Sequence, residues 1–227
     1  MCGRYTIVVS MEELMLRYLS DLPTDRYHRP RYNVAPMQQV LAVIHDGERN
    51  RLGELRWGLV PSWAGDEKIG SRMINARAET LLEKPAFRQL VSRKRCIVPA
   101  DGFYEWKAVR GGKQPMRITL KEEAVFSFAA LYDTWVHPED GRKISTCTII
   151  TTEPNRLVAD IHNRMPVILR REDEALWLDR RNGDVQQAIK LLRPYPAEEM
   201  RAYPVSAKVG NVKNDTADCL DEIALEA

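Results

Sequence analysis

The position with the most reactive chemistry is the second. Methionine aminopeptidases trim Met1 when the next side chain is small, so the mature chain is expected to begin with Cys2, with a retained Met1 as the alternative. An N-terminal cysteine carries two nucleophiles: an α-amine with an ordinary pKa of about 7.7–8.0 and a thiol at about 8.5. Against an aldehyde they act in sequence, the amine forming an imine and the thiol closing on the imine carbon to give a five-membered thiazolidine. Closure is favoured because effective molarities of well-oriented intramolecular reactions reach about 10⁵–10⁸ M. The same nucleophile suits an N-terminal-nucleophile amidohydrolase, and a lone cysteine near a terminus is often inert.

Four other stretches set polar residues among apolar or turn-forming neighbours. In "MINARAET", Asn75 can orient a substrate through its amide and Arg77 can grip an anion bidentately; the alternative is a helix start with Asn75 as cap and Arg77 in water. In "PADGFYEWK", Glu105 lies between Tyr104 and Trp106 on an expected strand. Alternation puts it on the opposite face from both aromatics, so it faces either solvent or a cleft; in a cleft, desolvation raises its pKa toward that of a general acid–base. In "DIHNRMP", His162 can shuttle protons and Arg164 can hold a phosphate, whereas a histidine at a helix end also serves as a plain C-terminal cap. In "PVSAKVGNVKND", the Gly210-Asn211 turn between Lys208 and Lys213 offers exposed backbone N–H groups for an anion. Trp63 in "RWGLVPSW" can stack on a base or fill a core. Arg4, Arg72, Arg77, Arg93, Arg95 and Arg164 are candidate phosphate contacts, though scattered arginines are usually solvated surface.

The elements that must position these residues belong to a chain of 227 residues, 44 % hydrophobic and 29 % charged, which fits one sizeable domain. A net charge of +2 excludes the strongly basic footprint of a non-specific nucleic-acid coat. Cys2, Cys96, Cys147 and Cys219 are dispersed, without a CxxC pair, so reduced thiols and no structural zinc are expected. No apolar run spans a membrane and no secretory signal opens the chain, so a cytoplasmic protein with no membrane association is expected.

Ser10-Met11-Glu12-Glu13 has the form of a capping box and predicts a first helix behind a strand at Tyr5 to Val9. Pro23 to Pro36 reads as loop, Val40 to Ile44 and Leu52 to Trp57 as a hairpin about Asp46-Gly47, and Pro61 to Gly70 as loop. Pro85 to Val91 reads as a short helix ended by Arg93-Lys94-Arg95, cations suited to the helix dipole. Strands follow at Cys96 to Val98, Phe103 to Lys107, Met116 to Leu120, Val125 to Leu131 and Cys147 to Thr151. Helices are expected at Pro154 to Ile161, Glu172 to Leu178 and Asp184 to Leu192, then a strand at Ala202 to Ser206 and a polar tail over 215–227. The fold class is α+β: a curved, mostly antiparallel, open-barrel-like sheet with peripheral helices in a single domain over 1–227.

Taken in order, Cys2-Gly3-Arg4-Tyr5, "RYNVAP", "RWGLVPSW", "INARAET", "RCIVPADGFYEW", "DIHNRMP" and "PVSAKVGNVKN" resemble the SOS-response-associated peptidase (SRAP) family from residue 2 to about residue 214. The resemblance implies a protein of the DNA damage response that shields abasic sites in single-stranded DNA. Cys2 would form a thiazolidine with the ring-opened sugar, without metal or cofactor. It implies that Asn75 positions Cys2, that Glu105 and His162 move protons, and that Glu105 drives slow reversal. It implies phosphate contacts from Arg4, Arg77 and Arg164, and a DNA cleft at Gly210-Asn211. Some relatives carry two adjacent tryptophans where this chain has Trp63-Ala64, so any base-splitting wedge is left to Trp63 and Met73. The partner is then abasic single-stranded DNA, at a duplex junction or not, with a monomeric, nucleoid-associated protein. A cysteine peptidase, limited to its own leader, and a plain single-strand-binding module are the other readings.

Overall fold

The computed structural model describes residues 2–19, 28–181 and 183–224. Along the chain run β1 (Tyr5–Ile7), α1 (Met11–Tyr18), β2 (Arg31–Val34), β3 (Gln39–His45), β4 (Asn50–Trp57) and β5 (Asn75–Arg77). Then come α2 (Leu90–Arg93), β6 (Arg95–Ala100), β7 (Gly102–Val109), β8 (Gly112–Leu120), β9 (Phe126–Val136) and β10 (Lys143–Thr152). The last third holds α3 (Arg156–Ala159), β11 (Met165–Pro166), β12 (Ile168–Leu169), α4 (Glu174–Leu178), α5 (Val185–Lys190) and β13 (Met200–Pro204). Local signals explain several bounds. Ser10 and Glu13 make the reciprocal capping box that opens α1, and Asp46 caps the β3–β4 turn by accepting from the N–H groups of Glu48 and Arg49. Gly111 takes φ 91° in the Arg110-Gly111 turn that joins β7 to β8.

Two sheets form, in an α+β fold. The smaller has the order β13-β8-β7-β1-β2, and in the larger β10, β4, β3, β6 and β9 pair in turn until β9 returns to β10. The expected curved sheet therefore closes on itself as a five-strand ring, antiparallel except where β10 runs parallel to β4. Tyr5 joins the two sheets: its ring meets Trp57 at 5.5 Å and Phe128 at 5.8 Å, both edge-on. The main core gathers around these rings with Phe103, Phe126 and Trp177. No helix among the described residues is long and apolar enough to cross a membrane.

Several expectations need correction. The proline-studded stretch contains β2, which pairs with β1; its residues 23–27 lie outside those described. Residues 85–89 form turns and α2 proper is only Leu90–Arg93. The loop before Met73 ends in a 3₁₀ turn at Glu67–Arg72. Arg95 is not a surface cation but 4 % exposed, its guanidinium donating to the carbonyls of Trp177, Val91 and Ser92. The tail docks: Asp215 accepts from Arg31 Nε at 2.6 Å and from the Asn33 N–H at 2.9 Å, Cys219 is buried, and Val205 bridges Glu222.

Candidate functional site

Cys2 and Arg4 precede β1, and the placement of β1 decides theirs. Asp101, nearly buried, accepts from the Thr6 hydroxyl and the Val8 N–H, and Arg117 Nη2 meets its Oδ1 at 3.1 Å. On the other side the Tyr104 N–H donates to the Arg4 carbonyl at 3.0 Å, so β7 runs beside the N-terminal segment and brings Glu105 to it. Glu105 is 2 % exposed and faces the interior, not solvent. Burial pushes its carboxyl up to about 7. Cys2 has no exposed surface; burial, and next the charge of Glu105, push its thiol far above the ordinary thiol range.

His162 follows α3, whose cap Asn155 accepts the Val158 N–H at 2.9 Å. The His162 backbone N–H closes on the Val158 carbonyl at 2.8 Å, and the ring turns its Nε2 to within 4.0 Å of Glu105 Oε2. Partial burial holds this imidazole below its usual pKa. Its Nδ1 lies 3.1 Å from the Arg164 N–H and 3.3 Å from the Arg164 carbonyl oxygen. An unprotonated Nδ1 accepts the first, and a protonated Nδ1, in the imidazolium or in the other neutral tautomer, donates to the second. One backbone unit thus serves both protonation states.

Asn75 sits on a strand, so the helix-cap alternative is overturned: β5 pairs in parallel with β10, Asn75 opposite Ile149 and Arg77 opposite Thr151. The Oδ1 of Asn75 is buried without a hydrogen-bond partner among the described residues. On the far edge of the same stretch of β10, β11 pairs Pro166 with Thr151, which sets 75–77 and 162–166 about one strand end. Arg77 is exposed there. Arg164 is engaged: it forks onto Glu79 at 2.8 and 2.9 Å and donates to the Thr151 carbonyl at 2.7 Å. That fork is the main reason the Glu79 carboxyl lies below the usual range.

Arg4 is likewise held from behind. Its Nη1 donates to the Val209 carbonyl at 2.6 Å and to Asn33 Oδ1 at 2.9 Å, and its Nη2 to the Gly210 carbonyl at 3.1 Å. The Gly210-Asn211 turn therefore presents carbonyls to Arg4, while the Asn211 N–H is taken by the Lys208 carbonyl at 3.1 Å. That differs from the open anion nest the glycine suggested. Asn33, fully buried, organises the turn by donating to the carbonyls of Val209, Asn211 and Asn214. Trp63 is 63 % exposed, and Met73 is half-buried against the core with its carbonyl accepting the Leu59 N–H. Asn33, Asp101 and Thr151 escape sequence reasoning, Asn33 because its stretch reads as loop; Glu79 stands out only as a polar residue alternating with Asn75 and Arg77, with no role assigned to it.

The fold and site define a strand-built protein in which a buried cysteine of the N-terminal segment feels the charge of Glu105, itself 4.0 Å from the His162 imidazole. The chain belongs to the SOS response associated peptidase (SRAP) family, whose sequence model matches residues 1–212. It is 53 % identical over 224 residues to abasic site processing protein YoqW of Bacillus subtilis (strain 168), a match covering 97 % of this chain and 99 % of that one. It is 36 % identical over 230 residues to abasic site processing protein HMCES of Gallus gallus, covering 87 % and 68 %. A crystal structure of a protein from Bacteroides thetaiotaomicron superposes with a TM-score of 0.82 at 29 % identity, covering 98 % of this chain and all (100 %) of that one.

Proposed function

We propose that this protein captures abasic sites in single-stranded DNA by a covalent thiazolidine at Cys2, once Met1 has been removed. The observation that carries the reading is the burial of Cys2 within electrostatic reach of Glu105, whose carboxyl lies 4.0 Å from His162. The names of the relatives, abasic site processing proteins, supply the substrate class.

The freed α-amine adds to the C1′ aldehyde of the ring-opened sugar, and the carbonyl oxygen leaves as water to give the imine. The thiol then adds to the imine carbon while its proton passes to the nitrogen, so aldehyde and cysteine yield thiazolidine and water. A thiol held protonated by burial leaves the first attack to the amine. Glu105, with a pKa of about 7, can give a proton to the departing oxygen and take one from the closing sulfur. His162 supports ring opening of the sugar, and the open acceptor of Asn75 can orient the amine. Arg77 offers phosphate a guanidinium, and Trp63 offers a base its exposed face.

Incubation with an abasic single-stranded oligonucleotide should give an SDS-stable slower band, lost in Cys2→Ala; no band from protein verified to lack Met1 defeats the proposal. The family's description as a peptidase favours a second reading, in which Cys2 attacks a peptide carbonyl. Cleavage of a leader-bearing precursor, lost in Cys2→Ala, would support that one.

A further inference from the structure

A depression of about 410 Å³ beside Trp63 adjoins a second of about 440 Å³, and the two share Ser92 and Arg93 in their walls. The first is bounded by Trp63, the 85–90 turn and Lys94; the second by Arg93, Arg180 and Arg181, with no carboxylate in its wall. Asp133 is the one acid of the first among the described residues, and it is committed internally. It is 3 % exposed and accepts from the Ser62 N–H and from Lys94 Nζ, each at 2.7 Å. It thereby ties the loop that carries Trp63 to the cationic wall. Asp179 stands 3.5 Å from Arg181 Nε, with the two side chains 37 % and 74 % exposed, a pair worth little in water. Arg180 Nη1 donates to the Asp46 carbonyl at 3.3 Å, and the exposed Arg93 guanidinium makes no hydrogen bond to the described residues.

This clustering is a local excess. The whole chain holds 34 basic against 32 acidic residues, yet here three arginines share one hollow. Arg93 also suits the C-terminal dipole of α2 and Arg180 holds the Asp46 carbonyl, yet none of the three closes a core. A polyanion passing along the trough would meet all three, and the aromatic face at the near end suits the first unstacked base.

We propose that this trough is a second DNA contact, taking the sugar-phosphate backbone of the strand that flanks the captured lesion. It rests on the proposed function for the identity of the strand but not for the contact itself. The two are separated by measuring non-covalent binding of undamaged single-stranded DNA of about 30 nucleotides against salt, beside crosslinking of an abasic oligonucleotide of about 7 nucleotides. The test variant is Arg93→Gln/Arg181→Gln, which leaves Arg180 on its carbonyl. Losing two single-strand phosphate contacts should lower the slope of log K against log salt by about 1.4. The ratio of wild-type to variant affinity then shrinks about sevenfold between ~50 and ~200 mM salt, with capture of the short oligonucleotide unchanged. Equal slopes for the two proteins overturn the trough, as does an equal loss on the short oligonucleotide. A wild-type protein that binds undamaged DNA with the expected slope yet never crosslinks would overturn the proposed function and leave the trough standing.

Discussion

His162 Nε2 stands 4.0 Å from Glu105 Oε2, and burial moves the two groups in opposite directions, the carboxyl up to about 7 and the imidazole down. The ordinary order of an acid and a base is thereby reversed: the carboxyl is raised toward neutrality while the imidazole is lowered, so Glu105 is the group suited to give and take a proton near pH 7.

Glu105→Gln should slow crosslink formation and reversal together, because a proton carrier acts in both directions. The wild-type rate should bend near pH 7, the value to which the carboxyl is raised, and the bend should vanish in the variant. Single-turnover gels across a pH series measure both; unchanged rates would assign Glu105 to structure alone.

The same group predicts a stability effect. A carboxyl raised from about 4.3 binds its proton more tightly in the folded chain, so stability falls as pH climbs through that window. The cost of the buried charge is complete above the folded value of about 7. Glu105→Gln should therefore exceed wild type in urea midpoint at pH ~8, and the gap should narrow as pH falls and close only below the unfolded value, by pH ~4. A gap independent of pH contradicts the raised carboxyl.

Asp101→Ala leaves Arg117 buried with one fewer acceptor, and it frees the Thr6 hydroxyl and Val8 N–H that hold β1. Breaking a buried pair in this way costs about 3–5 kcal/mol. Because β1 follows directly on Cys2, capture should slow as well; chemical denaturation and crosslinking rates report the two effects separately.

Arg77→Ala should weaken capture at low DNA concentration and leave the rate at saturating DNA intact, since the exposed guanidinium meets phosphate and not the reacting atoms. A reduced rate at saturation would move Arg77 into the chemistry.

Gly58 and Gly70 approach so closely that a Cβ on Gly70 would lie 2.7 Å from the Gly58 carbonyl oxygen. Gly70→Ala must displace backbone that leads through Met73 to Asn75, costing about 1–3 kcal/mol in a thermal or urea scan.

Elements governed by neighbours in sequence were legible: the Ser10–Glu13 box, the Asp46-Gly47 hairpin and the strands of the middle third all form where spacing placed them. Elements governed by distant partners were not. Asn75 to Arg77 becomes a strand only because β10 offers it an edge. Arg95 is drawn inside by carbonyls of α4 and α2, and Asp215 is drawn out of the polar tail by Arg31. Among the candidate site residues, type and order pointed to Cys2, Glu105 and His162. The restraint of Arg4 by Asn33 and of Arg164 by Glu79 depends on contacts across 29 and 85 residues, which no local pattern encodes.

A sulfur with no accessible surface, kept as thiol instead of thiolate, is a poor target for peroxide, disulfides and stray metal ions, all of which attack the exposed anion. If each molecule reacts once, its useful life is set by how long it can wait undamaged. If Cys2 captures abasic sites as proposed, its enclosure would let the reagent wait in an oxidant-stressed cell until a lesion arrives.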